Sequence, residues 1–161
     1  MRSAYNYLLL IFIIFLSACD MQNVKPETNS AEEISDIAET NQAAQIAYQN
    51  EDWKKAEIAY MKLTKKIPAE TEPWFRLGNI YARTDRLDAA EYAYKNALSR
   101  DTKNSKIWHN LGIVQLRQAT STFIEMLEYT DTSDPLNVRA KNVVNSVTNL
   151  MSTGFESTET E

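Results

Sequence analysis

Reactive side chains at usable spacing are scarce in this 161-residue chain. There is one histidine, His109, and one cysteine, Cys19. A general base needs a nucleophile and an orienting partner within hydrogen-bond reach, and nothing in the spacing around His109 supplies them. His109 therefore reads as a solvated or groove-lining residue. One cysteine excludes an internal disulfide. One Cys with one His leaves too little for a zinc site or a Cys–His couple. Glu32, Glu33 and Asp36 read as the acidic preference of a helix N-terminus rather than as a calcium site. With only three glycines there is no glycine-rich cofactor box, and the tryptophans and tyrosines at helical spacing read as packing. A net charge of −5 opposes binding to a phosphate backbone. The expectation is a protein that is not an enzyme, holds no metal or cofactor, does not bind nucleic acid, and acts by contact.

Cys19 has a different chemistry. Arg2 gives a positive start, and Leu8 to Leu16 form an apolar run too short to span a bilayer, which takes roughly 20 residues. Leu16-Ser17-Ala18-Cys19 resembles the lipobox of bacterial lipoproteins. That resemblance implies a signal peptide over residues 1–18, cleavage before Cys19, and acylation of its thiol and amine. A secreted protein with an incidental cysteine, or an uncleaved anchor, are the alternatives. Several acyl chains hold a protein durably on a membrane, at ~0.8 kcal/mol per buried methylene. Asp20 after Cys19 resembles a signal for retention at the inner membrane, with the outer membrane as the alternative. Residues 19–30 are polar and contain Pro26, and they read as a flexible tether. About a dozen such residues reach ~20 Å at ~5–6 Å × √n.

These side chains must be positioned by something, and the elements are legible. So few glycines and prolines argue against a sandwich or barrel and favour an all-α chain. Ala56-Glu57-Ile58-Ala59-Tyr60 and Ala90-Glu91-Tyr92-Ala93-Tyr94 match at a spacing of 34 residues, as do Trp74-x-x-Leu77-Gly78 and Trp108-x-x-Leu111-Gly112. Period and motif together resemble the tetratricopeptide repeat. The resemblance implies a short helical solenoid of helix–turn–helix units over residues 31–151. Units are expected at about 37–70 and 71–104, with a partial one at 105–129. In the middle unit Gly78 and Ala90 read as small residues where two helix backbones approach, and Asp85 as the N-cap of the second helix. Asp52 reads as the corresponding cap in the first unit. After Gly112 no turn appears, and the helix is expected to run to about Tyr129, with a kink at Thr120-Ser121-Thr122. Pro135 opens a closing helix over 135–151. Its stripe Leu136, Ala140, Val143, Val144, Val147 and Leu150 covers the last unit. Residues 152–161 read as a tail.

The resemblance also implies a groove lined by the first helix of each unit, where an extended peptide would lie. Its positions here are Asn41, Gln45, Tyr48 and Gln49, then Phe75, Asn79, Ala82 and Arg83, then His109, Ile113, Leu116 and Arg117. Asn and Gln suit a peptide backbone, Arg83 and Arg117 suit carboxylates, and Phe75 offers an apolar anchor. Lys54, Lys55, Lys62, Lys65 and Lys66 read as a solvated face, with contact to membrane headgroups as the alternative. The function implied is a lipid-anchored adaptor of the bacterial envelope, facing the periplasm and binding a protein. The setting that the resemblance suggests is assembly of a pilus, secretion or polysaccharide system, or recruitment of a wall-modifying enzyme. The alternative is a structural lipoprotein that pairs with a second copy.

Overall fold

A computed structural model describes residues 27–154. Residues 1–26, which hold the expected signal peptide, Cys19 and Asp20, and residues 155–161 lie outside the described residues. Compactness divides the chain between Asp36 and Ile37. The described part of the first unit, residues 27–36, is a helical stretch whose side chains from Ser30 to Ser35 are exposed.

Six helices follow in order: α1 Glu27–Gln49, α2 Trp53–Lys66, α3 Thr71–Arg83, α4 Leu87–Leu98, α5 Ser105–Tyr129 and α6 Pro135–Gly154. No strand occurs among the described residues. The architecture is that of an all-α helical repeat. Helix α1 begins at Glu27, so residues 27–30, expected at the end of a tether, are helical. Thr28, Asn29 and Ser30 are weak helix formers, which is why they read as linker in the sequence. At the other end α6 runs to Gly154, so residues 152–154 also belong to a helix.

The turns between paired helices repeat as faithfully as the helices. Glu51 and Asp85, again 34 apart, both sit in the left-handed region, with φ of 56° and 59°. Beyond each, a backbone N–H reaches back five residues: Asp52 to the Ala47 carbonyl and Arg86 to the Tyr81 carbonyl, both at 2.9 Å. This closes the preceding helix by satisfying carbonyls that its last turn leaves orphaned. Asp52 then caps α2, accepting the Lys55 N–H at 3.2 Å. Asp85 does not cap α4. Arg86 holds that position without a side-chain cap bond, because Asp85 has become the left-handed turn residue.

Packing obeys the same period. Ala56 and Ala90 are buried, as are Tyr60 and Tyr94, Leu77 and Leu111, and Ile80 and Val114. Each such Leu or Ile contributes roughly 1.5–3 kcal/mol by leaving water. One core gathers Ala44, Ala47, Tyr60, Leu63, Leu77 and Ile80 between α1, α2 and α3. A second gathers Tyr94, Leu98, Ile107, Leu111 and Val114 between α4 and α5. Gly78 is small for a reason other than backbone approach: a Cβ there would overlap the ring of Tyr94. Gly112 has no such neighbour, since nothing lies within 4 Å of its Cβ position.

Polar contacts tie successive units. Arg86 holds Glu57 with both terminal guanidinium nitrogens, at 2.9 and 2.7 Å, and lies over the Tyr81 ring. Arg100 donates to the Pro68 carbonyl and lies over Trp74.

Toward the end of the chain α5 runs to Tyr129 as expected, and α6 differs. Helix α5 passes through Thr120 and Thr122, whose hydroxyls bond the carbonyls four residues back, at 2.8 and 3.2 Å. Helix α6 packs on α5, yet it buries only part of its apolar stripe. Ala140 is buried, but Leu136, Val143 and Leu150 are 51%, 36% and 49% exposed. Asn137 is also buried, and its amide donates to the Thr130 carbonyl and hydroxyl at 3.3 and 2.9 Å. The face that docks thus includes a polar residue, and one edge of the stripe lies outside.

Candidate functional site

Where α1, α2 and α3 meet, the side chains leave a pocket of about 500 Å³, lined by Gln45, Tyr48, Gln49, Glu51, Trp53, Tyr60, Arg76 and Arg83. Its floor is aromatic. Tyr48 meets Trp53 edge to face at 5.4 Å between ring centroids, and Tyr60 at 6.2 Å. The tight turn at Glu51 puts Trp53 at the start of α2, close enough to Tyr48 near the end of α1 for that contact.

Two arginines stand on this floor. Arg76 and Arg83 are seven residues apart on α3, hence on one face. The Arg76 guanidinium carbon lies 4.8 Å from the Tyr48 ring centre, and that of Arg83 lies 5.3 Å from the Trp53 ring. A guanidinium stacked on a ring keeps its N–H donors in its own plane, directed past the ring. Arg76 also donates to Glu72 at 2.6 Å. Burial works against its charge, but Glu72 and the Tyr48 hydroxyl outweigh that and raise its pKa. Burial pushes the Tyr60 phenol up to about 12, so it stays protonated across neutral pH. The pocket thus combines Arg83 and the Glu72-paired Arg76 with the Glu51 carboxylate, an aromatic floor and two side-chain amides. Such a surface suits an extended peptide carrying a carboxylate and an apolar side chain.

The expected groove residues divide sharply. Gln45, Tyr48, Gln49 and Arg83 line the pocket. Asn41 lies half-buried one turn before Gln45. Phe75 is half-buried and packs tilted on Tyr94. Asn79 is 6% exposed, its Oδ1 accepting the Tyr94 hydroxyl at 2.7 Å and the Asn110 amide at 3.0 Å. It joins α3, α4 and α5 from within. Arg117 is also turned inward, donating to the Ala82 carbonyl and to Asp85, each at 2.8 Å. His109 is exposed, with its ring nitrogen 3.2 Å from the Asn110 side-chain oxygen. Ile113 and Leu116 are half-buried on α5. The structure therefore gathers the α1 positions with Arg83 and sets those of α5 apart.

Arg76, Trp53, Tyr60 and Glu51 belong to the pocket and are absent from the set expected of the sequence. Arg76 was legible as the residue one heptad before Arg83. The contribution of α2 was not, since it depends on the angle at which α2 meets α1. Among the described residues no group of three His, Cys, Asp or Glu is placed to hold a metal ion. No described helix is long and apolar enough to cross a membrane.

Comparison with known families matches residues 71–104, which hold α3, α4 and the loop after them, to the tetratricopeptide repeat. No curated protein matches the chain. Tetratricopeptide repeats are generally non-catalytic modules that bind proteins or peptides, so the match points to an adaptor in protein–protein interaction.

Proposed function

We propose that this protein is a lipid-anchored adaptor of the bacterial cell envelope whose α1–α3 pocket holds an extended, acidic segment of a partner protein. The observation that carries the binding half is the pair Arg76 and Arg83 on the rings of Tyr48 and Trp53, beside Gln45 and Gln49. The lipobox-like Leu16-Ser17-Ala18-Cys19 supports the anchor, Asp20 supports the inner membrane, and both favour a domain facing the periplasm. Assembly of a pilus, secretion or polysaccharide apparatus is the setting that the resemblance implies.

A photo-crosslinker at Gln45 tests the binding site. It should capture a protein in the envelope fraction, and Arg83→Ala should lower that capture about tenfold, as expected for loss of a charge-assisted contact of ~1.5 kcal/mol. Unchanged capture in Arg83→Ala would move the site elsewhere. The exposed edge Leu136, Val143 and Leu150, seven residues apart, favours a second reading in which α6 pairs with another copy. Mass measurement in detergent separates the two. A monomer that still crosslinks from Gln45 supports the adaptor, and a dimer crosslinked to itself through Leu136 supports pairing.

A further inference from the structure

Five of the ten lysines of this acidic chain lie in one helix. Over fourteen residues α2 carries five lysines and one acid, Glu57. Glu57 is held by Arg86, and Lys55 pairs with Asp52 at 2.7 Å. Taken at 100° per residue, Lys54, Ile58, Met61, Lys62 and Lys65 fall within an arc of about 100°, directly opposite the buried Ala56, Tyr60 and Leu63. All five are exposed, Ile58 by 63% and Met61 by 41%. The stripe contains no acid.

One exposed isoleucine requires no explanation. Two apolar side chains adjacent on a helix face and bracketed by lysines at both ends form an amphipathic contact. We infer that this face of α2 docks on an anionic lipid surface. Ile58 and Met61 would enter the boundary between headgroups and acyl chains, while the lysine stems lie along it and their ammonium groups meet the headgroups. A lipid surface fits a single-helix ridge of one charge sign without a complementary groove, which a protein partner would have to supply. The inference rests on α2 alone. Seven residues separate Cys19 from the start of α1, so an acylated Cys19 would add to this contact by keeping the chain at a bilayer.

The test is lysine acetylation, read by mass spectrometry, of the full chain reconstituted in vesicles. One set holds equal parts phosphatidylglycerol and phosphatidylcholine, the other phosphatidylcholine alone. Lys54, Lys62 and Lys65 should react about tenfold more slowly on the anionic set, while the exposed Lys103 and Lys106 react equally on both. Raising the salt to about 1 M, where the Debye length is ~3 Å, should abolish the difference. The double variant Lys54→Glu/Lys65→Glu should abolish it, and Ile58→Ser should weaken it, both with circular dichroism unchanged because the positions are exposed. Equal rates on the two vesicle sets, or slowing shared by Lys103 and Lys106, would overturn the inference. So would protection by solubilised acidic envelope protein where vesicles give none. Acylation of Cys19 is read separately from the mass of the chain, so its failure stays distinct.

Discussion

Gly78 and Gly112 occupy the same place in a 34-residue frame, yet their surroundings assign them different weights. A methyl group on Gly78 would overlap the Tyr94 ring, which is buried and bonded to Asn79. Gly78→Ala should therefore cost about 1–3 kcal/mol in urea unfolding, the range for overpacking. Gly112→Ala meets open space and should gain about 0.5–1 kcal/mol from helix propensity. Equal effects at the two positions would mean that the Tyr94 ring does not lie over Gly78. Tyr60 permits a prediction in pH. Its folded pKa, about 12, lies above its ordinary value of 10.0. The stability this represents is full below pH 10 and is lost as pH rises through about 12. Tyr60→Phe should remove on the order of 1–2 kcal/mol of that alkaline loss relative to the parent. Parallel stability curves for the two chains between about pH 9 and pH 12 would contradict it.

At the scale of the element, the instructive feature is the turn. Glu51 and Asp85 adopt left-handed backbone at a cost that glycine would not incur. Glu51→Gly should raise stability by about 0.5–1 kcal/mol, measurable as a higher midpoint in urea. Asp85→Gly should gain less, because Asp85 also receives Arg117 at 2.8 Å. Asp85 reads naturally as an N-cap because Asp is favoured there. The structure places it one residue earlier, where its value lies in the turn and in Arg117. The closing helix shows a similar displacement. Six apolar residues suggest a buried stripe, but the residues of α6 that are buried are Ala140 and Asn137, the latter bonded to Thr130.

For the molecule as a unit, the arginines of the repeats all touch the preceding unit, but by different contacts. Arg86, Arg100 and Arg117 each reach back to the preceding unit and hold the array together. Arg76 and Arg83 lie over rings that line the pocket. The proposed anchor acts on the whole chain and has its own test. Cys19→Ala should move the protein from the membrane pellet to the soluble fraction. A variant still found in the pellet after its signal segment has been cleaved would assign membrane retention to other surfaces, with the lysine face of α2 first among them.

Local chemistry by itself determined the helical class, the 34-residue register and the identity of the buried pairs, because each depends on spacing along one helix and on the size of single residues. Ala56 with Ala90 and Tyr60 with Tyr94 were legible for that reason. The extent of α5 was legible too, since no turn former follows Gly112. Tertiary structure decided which equivalent residues remain available to a partner. Asn79 and Arg117 suited the groove as types and positions, and lost that role to Tyr94, Asn110, Ala82 and Asp85. Trp53 comes to line the pocket beside Tyr48, over the buried Tyr60, through a contact between α1 and α2 that periodicity along one helix does not encode. A repeat pattern states which faces are buried. Which side chains are left to meet a partner depends on distances between residues some thirty positions apart, and those are fixed only when the helices pack.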